Sequence, residues 1–200
     1  MSAIGNILSD IYHYFYPRKE TENEVQLYLG AAAQDHLKEQ AKAELPHLTF
    51  NPLPSNFSED SHLAIGSSRF KVIPIKEGKP CSIGFEVGVV ILMRSSTHLG
   101  VARLIHDIQP LKQALQEMHS SSQQKIELFI VDGKSSDTTI YDDAQRFIRC
   151  FNQRHGPLAF VSADLFGLAE FESSTGSQTP GVQFAGFNRD SQPVVIIDCV

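Results

Sequence analysis

The chain has 200 residues, 42% of them hydrophobic, which is enough for one well-packed domain with an extension but not for two large domains. Its formal net charge of −6 at pH 7 leaves no surplus of basic residues to neutralise a phosphate backbone, so nucleic-acid binding is not expected. No apolar run approaches the roughly 20 residues that span a bilayer, and the first residues lack the apolar core of a secretory signal, so no transmembrane segment is expected.

The N-terminal part of the chain is predicted to be helical. Apolar residues recur at helical spacing before Pro17 and give a short helix one strongly apolar face. That face either docks on the protein's own domain or binds a partner. Residues 25–45 also favour helix, because they are rich in alanine and leucine. The apolar residues of the first helix are Ile4, Leu8, Ile11 and Phe15.

A linker is predicted after these helices. Residues 46–61 combine three prolines with asparagine and serine, a composition typical of loops. We therefore divide the chain into a helical N-terminal extension with a Pro-rich linker, residues 1–60, and a main domain, residues 61–200.

The main domain is predicted to alternate strands with helices. Runs rich in valine and isoleucine indicate strands, whereas apolar residues three or four positions apart indicate helices. In chain order, the pattern predicts strands at 70–75, 83–93 and 99–105, a helix beginning at Pro110, a strand at 126–131, a helix capped by Asp137 or Thr138, a strand at 158–163, and a closing hairpin of 182–187 and 194–197.

The number and spacing of the cysteines indicate the redox state of the cellular compartment. Cys81, Cys150 and Cys199 are odd in number and form no C-x-x-C pair, which favours a reducing compartment and argues against a disulfide framework. Neither they nor the histidines show metal-ligand spacing. We expect a cytoplasmic protein with no metal and no other cofactor.

Residues 65–107 carry the motif that suggests a function. They read IGSSRFKVIPIKEGKPCSIGFEVGVVILMRSSTHLGVARLIHD. This segment resembles the signature of the CheD family of chemoreceptor glutamine deamidases, in which one strand opens G-x-G-S-C-V-x-V-x-L and the next carries G-x-x-A-H. The residues that align are Gly84, Val87, Gly88, Val89, Val90, Gly100 and Ala102.

The resemblance extends to the order of the later elements. IELFIVDG stands where the family has a strand leading to a glycine-bearing loop, and VSADLFG where it has an acidic, glycine-containing strand end. The match covers about residues 63–200. It implies an α/β fold, a mixed α/β sandwich of the type that CheD shares with the cytotoxic necrotizing factor deamidases, here with a helical N-terminal extension.

The resemblance places different residues at the catalytic positions of the family. Glu86 stands in the place of the family's cysteine and Arg103 in that of its histidine, at the family's interval of seventeen positions, while Pro80 replaces a threonine that helps to position the site. In the family, a thiolate attacks the amide carbon and a histidine activates the thiol and protonates the departing ammonia. A carboxylate cannot form that thioester, and a guanidinium with a pKa above about 12 cannot exchange a proton near neutral pH.

Two interpretations of the substituted pair follow. In the first, Glu86 and Arg103 lie on one face of neighbouring strands and form an ion pair that closes the pocket where the family has its cysteine and histidine. Otherwise they are side chains on a sheet face that do not meet.

A second candidate site consists of Cys81 and His98, which are also seventeen positions apart. Basic residues close to Cys81 in sequence could lower the pKa of its thiol and make it a nucleophile. His106, followed by Asp107, is an alternative base on the same predicted strand. A lone surface or half-buried cysteine without a catalytic role is the commoner explanation of Cys81.

These observations predict a bacterial, cytoplasmic CheD-like protein. Because all three site positions differ from the family, we expect a non-catalytic binding or regulatory module. The resemblance implies a protein partner, either a chemoreceptor helix or a CheC-type phosphatase. The alternative is a cysteine-dependent protein glutamine deamidase that uses Cys81 and His98. A third possibility, a secreted bacterial effector on the same fold, rests on no particular residue.

Overall fold

The computed structural model describes residues 25–30, 49–53, 63–64, 69–75, 81–83, 89–121, 124–132, 138–156, 158–165, 180–188 and 190–199. The predicted helix at residues 4–15 lies outside these ranges. Within them, eleven strands and two helices form a mixed α/β structure. The elements are β1 (Gln26–Leu29), β2 (Phe50–Pro52), β3 (Leu63–Ala64), β4 (Phe70–Pro74), β5 (Cys81–Ile83), β6 (Val89–Arg94), β7 (His98–Leu104), α1 (Gln109–Ser121), β8 (Ile126–Asp132), α2 (Thr138–His155), β9 (Ala159–Leu165), β10 (Pro180–Phe187) and β11 (Pro193–Cys199).

Among the described residues, six strands form one sheet in the order β2-β1-β11-β10-β5-β3. β10 and β11 form the predicted closing hairpin. β1 pairs in parallel with both β11 and β2, so two strands from the first 60 residues lie in the same sheet as the end of the chain.

The helix predicted for residues 25–45 is wrong for Gln26–Leu29, which form β1. Val25, Leu27 and Leu29 are buried in alternation with the less buried Gln26 and Tyr28, which is the period of a strand. Pairing with two neighbouring strands provides ladder hydrogen bonds and burial that outweigh the local helix propensity. Residues 31–45 lie outside the described ranges.

The other five described strands form a second sheet in the order β4-β7-β6-β8-β9. β6 and β7 pair antiparallel and are joined by a short turn after Arg94. The single strand predicted for residues 83–93 is wrong, because Ile83 ends β5 in the six-stranded sheet whereas β6 begins at Val89 in the five-stranded sheet. A continuous apolar run fits a buried strand in either sheet, so the sequence does not show where the chain passes between them.

Both helices pack on one face of the five-stranded sheet. The apolar residues of α1 that recur at helical spacing, Leu111, Ala114, Leu115 and Met118, are all fully buried, which confirms the predicted helix. In α2, Ala144, Ile148 and Phe151 recur at helical spacing and are buried as well. Gly100 on β7 lets α1 approach closely, because a Cβ atom there would lie 2.8 Å from Met118 Sδ. This shared core includes Val89, Ile91, Met93, Leu111, Ala114, Leu115, Met118, Ala144, Ile148 and Phe151.

The six-stranded sheet lies against the opposite face of the five-stranded sheet. Side chains on that face are fully buried but belong to none of the helix contacts, as Val90, Leu92 and Phe129 illustrate. Arg94 on the same face donates a hydrogen bond of 3.4 Å to the carbonyl of Ser191 in the β10–β11 turn. The described residues therefore form three layers, with helices, then five strands, then six. This confirms the expected mixed α/β class.

Candidate functional site

Arg103 lies near the end of β7 on the inner face of the five-stranded sheet, the face toward the six-stranded sheet. Its neighbours Ala102 and Leu104 point to the helices, and alternation along a strand turns Arg103 to the other side. On β6, its partner in the ladder is Val90. Its backbone N–H donates a hydrogen bond of 2.8 Å to the carbonyl of Arg69, which extends the β4–β7 ladder by one pair.

This register places two arginines directly opposite each other. Residues that face each other in an antiparallel pair have their side chains on the same side of the sheet. Arg69 and Arg103 therefore share the inner face at one end of the five-stranded sheet, and Lys71 follows on the same face. The three basic side chains lie on the side of this sheet that packs against the other sheet.

Arg69 uses part of its guanidinium to bind Asp107. Arg69 Nη1 lies 3.1 Å from Asp107 Oδ2, and the two side chains are 39% and 45% exposed. Arg69 Nε and Nη2 have no exposed surface, and they have no hydrogen-bond acceptor in the part of the chain that the structure describes. The Nε–Nη2 edge of this guanidinium therefore carries two buried donors without an acceptor.

Asp107 connects this edge of the sheet to α1. Its Oδ1 accepts a hydrogen bond of 2.8 Å from the backbone N–H of Gln109, the first residue of the helix. That hydrogen bond, followed by the one from Arg69, lowers the pKa of Asp107. Both contacts favour the carboxylate, so Asp107 is ionised at neutral pH and holds Arg69 beside the helix.

A second arginine–carboxylate pair lies at the other end of the same face. Arg94 Nε and Nη2 lie 2.7 and 2.6 Å from Glu127 Oε2, and the guanidinium carbon lies 5.3 Å from the centre of the Phe129 ring. Arg94 and Glu127 are opposite each other in the β6–β8 ladder. Here the Nε–Nη2 edge of an arginine is occupied by a carboxylate from the protein itself.

Two of the predicted site residues, Glu86 and Pro80, lie outside the described residues. The ion pair between Glu86 and Arg103 therefore stays a prediction. The register fixes only the position of Arg103, which is opposite Val90, four residues after Glu86 in the sequence.

Cys81 and His98 are the first residues of strands in different sheets. Cys81 begins β5 in the six-stranded sheet, and its side chain lies outside the described part of the structure. His98 begins β7 opposite Pro74, and its Nδ1 lies 2.9 Å from Thr97 Oγ1. Alternation places His98 on the helix side of the five-stranded sheet, together with Gly100. The catalytic role of this pair stays a prediction.

His106, the alternative base, is exposed in the bend between β7 and α1. The sequence did not single out Arg69. Its position directly before a predicted strand is a weak signal, because the β4–β7 pairing that brings it to Arg103 joins residues more than thirty positions apart.

Comparison with known proteins finds no family model that matches the chain and no curated protein that matches it. The resemblance to the CheD family therefore rests on the motif residues and on the order of the elements. None of the helices in the described ranges is long and apolar enough to cross a membrane.

Proposed function

We propose that the chain is a CheD-like protein that binds a protein partner and does not deamidate it. It would act in the bacterial cytoplasm as a regulatory module, on a chemoreceptor helix or on a CheC-type chemotaxis phosphatase. The observation that carries the proposal is the position of Arg103, on the inner face of the sheet near the end of β7.

The chemistry of Arg103 argues against a general base at this position. The guanidinium keeps its proton throughout the physiological pH range, so it cannot take a proton from a thiol and return it to ammonia. Arg69, beside it, is also an arginine. A pair of permanent cations instead suits electrostatic recognition of a partner.

The fold supports the CheD-like part of the proposal at a coarser level. The resemblance implies a mixed α/β sandwich, and two sheets with helices on one side agree with that expectation. Fold alone does not specify a function, so the partner classes come from the resemblance.

An ammonia-release assay combined with mass spectrometry tests this function. The full chain is incubated with a chemoreceptor cytoplasmic fragment and with a glutaminyl peptide, and binding to the fragment is measured by calorimetry. We expect binding without ammonia release and without a gain of mass on the substrate.

Two cysteine variants make the assay specific. Cys81→Ala removes the candidate nucleophile, and Cys150→Ala, on the exposed side of α2, is the matched control. A gain of about one dalton per glutamine, the difference between an amide and an acid, that persists in Cys150→Ala but disappears in Cys81→Ala would establish the deamidase alternative. Absence of both binding and turnover would refute both functions.

A further inference from the structure

We propose that Cys150 on α2 is a site of reversible S-thiolation, at a cavity along the helix that recognises a peptide disulfide of the glutathione type. This reaction is separate from the proposed function, because it takes place on the exposed side of α2 and not on the inner face of the five-stranded sheet. It adds a covalent, redox-dependent modification to a chain that is otherwise proposed only to bind a partner.

A cavity of about 460 Å³ lies beside α2. Of the described residues, Asp142, Arg146, Arg149 and Cys150 line it. All four are exposed, and Cys150 is a free thiol. The size lies within the range of roughly 300–1,000 Å³ that is usual for small-molecule sites, so the cavity can hold a ligand of tripeptide size.

The lining residues form a row along one face of the helix. Asp142, Arg146 and Cys150 follow each other at intervals of four positions, and Arg149 directly precedes Cys150. Residues four positions apart on a helix are neighbours on its surface, about 6 Å apart along the axis. The cavity therefore presents a carboxylate, two guanidinium groups and a thiol, in this order, along about two turns.

Glutathione carries groups that complement this row. Each half of its disulfide has two carboxylates, one ammonium group and the reacting sulfur. With that sulfur at Cys150, the γ-glutamyl arm can extend along the helix, with its carboxylate near Arg146 and its ammonium group near Asp142. Arginine binds carboxylates through charge-assisted hydrogen bonds, and Asp142 offers the ammonium group an opposite charge. A disulfide with both kinds of charge therefore fits better than one that is neutral.

The ion pair that Arg146 already makes is a weak one. Its Nη1 lies 3.7 Å from Asp143 Oδ1, and the two side chains are 77% and 56% exposed. Pairs as exposed as this contribute little stability, because water and salt screen the charges. The Arg146 guanidinium can therefore turn to a ligand carboxylate without disturbing α2.

The reaction is a thiol–disulfide exchange. The Cys150 thiolate attacks one sulfur of the disulfide, a new Sγ–S bond forms, and the S–S bond of the disulfide breaks. The second glutathione leaves as a thiolate with the electron pair of that bond and takes up the proton that Cys150 lost. Cys150 is oxidised and the disulfide is reduced, so no other reactant is needed. Excess free glutathione reverses the exchange, which makes the modification depend on the redox state of the compartment.

Cys150 can carry the added group while the protein stays folded. Ala144, Ile148 and Phe151 form the buried side of α2, whereas Cys150 is exposed. The modification therefore adds charged groups to the surface and leaves the core between α2 and the sheet intact. The native chain is the species that should react.

Exchange rates on the full native chain test the site. The reduced protein is mixed at pH 7 with glutathione disulfide or with the neutral bis(2-hydroxyethyl) disulfide, and peptide mass spectrometry follows the modification of Cys150. Both rates depend in the same way on the thiolate fraction of Cys150. Changes in the ratio of the glutathione rate to the neutral rate between variants therefore report recognition of the charged groups. We expect this ratio to fall as salt is added to the wild type.

Four variants identify the groups that recognise the disulfide. Arg146→Gln and Arg149→Gln each remove one cation and should lower the ratio, and their combination should lower it several-fold. Arg154→Gln, at an exposed arginine of α2 outside the lining, is the matched control and should keep the wild-type ratio. Asp142→Asn should also lower the ratio, because the ammonium group loses its partner. Attraction by net charge alone would instead raise the ratio in Asp142→Asn, since glutathione disulfide is an anion.

Several results would overturn the site. They are an unchanged ratio in the double arginine variant, a fall of equal size in Arg154→Gln, and an unchanged or higher ratio in Asp142→Asn. Modification confined to Cys81 or Cys199 would overturn it as well. None of these results depends on partner binding or ammonia release, so failure of the site and failure of the proposed function are distinguishable.

Discussion

At the scale of single residues, Asp107 contributes to stability in a pH-dependent way. Its pKa is lowered by the hydrogen bond from Gln109 and then by Arg69, so the folded protein holds the carboxylate form more strongly than the unfolded chain does. A carboxyl group with a lowered pKa adds stability above its unfolded pKa of about 3.9 and loses it as the pH falls through the folded value. Acidification below about pH 4 should therefore remove this contribution.

Thermal melts between pH 6 and pH 2.5 test this. The wild type should lose more stability on acidification than Asp107→Asn, because asparagine does not titrate. Asp143→Asn, which removes an exposed carboxylate from a 3.7 Å pair on α2, controls for a general loss of negative charge. Parallel curves for the wild type and Asp107→Asn would contradict the assignment.

Gly100 lies at a position that has no room for a larger side chain. A methyl group at this position would lie 2.8 Å from Met118 Sδ and 3.4 Å from Met93 Cβ, within a core where both methionines are fully buried. We expect Gly100→Ala to lower the free energy of unfolding by about 1–3 kcal/mol, the usual cost of overpacking. Denaturant unfolding measures it.

A double-mutant cycle shows whether Met118 causes that cost. Met118→Ala opens space beside Gly100 and by itself should be destabilising by about 2–5 kcal/mol. Combined with Gly100→Ala, it should cost less than the sum of the two changes, because the added methyl group then fills part of the cavity. Strict additivity would show that the strain at Gly100 arises elsewhere.

At the scale of elements, the sequence predicted the helices and strands whose own apolar pattern shows which residues are buried. The apolar spacing of α1 and α2 identified their core faces, and the valine-rich runs identified β6, β7 and β8. β1 was missed because its strand conformation depends on parallel pairing with β11, which is more than 160 residues away. A segment beside an alanine-rich stretch has helix propensity, and only this distant partner reverses it.

The candidate site was predictable to the same extent. Arg103 follows from its spacing after Gly100, since the motif fixes its place on the strand. Arg69 and its contact with Asp107 depend on how β4 pairs with β7 and on where α1 begins. Single-sequence patterns carry no information on such pairings, so the unused edge of Arg69 could be found only in three dimensions.

At the scale of the whole molecule, the position of β1 and β2 bears on the predicted division at residue 60. β1 lies between β2 and β11 in the six-stranded sheet, and its Leu27 and Leu29 are buried. Without it, the edge of β11 would lose its parallel partner along Val194 to Ile197. An unpaired, apolar strand edge is prone to aggregation.

Two fragments test whether residues 61–200 fold without these strands. A fragment of residues 61–200 should be less stable than one of residues 25–200 by at least about 3–6 kcal/mol, because each buried leucine of β1 contributes about 1.5–3 kcal/mol. We also expect it to aggregate through the exposed edge of β11. Denaturant unfolding and light scattering on both fragments give the comparison, and their difference reports residues 25–60 alone. If the shorter fragment stays monomeric and unfolds at the same denaturant concentration, the main domain is independent of β1 and β2, and the pairing of β1 with β11 contributes no stability.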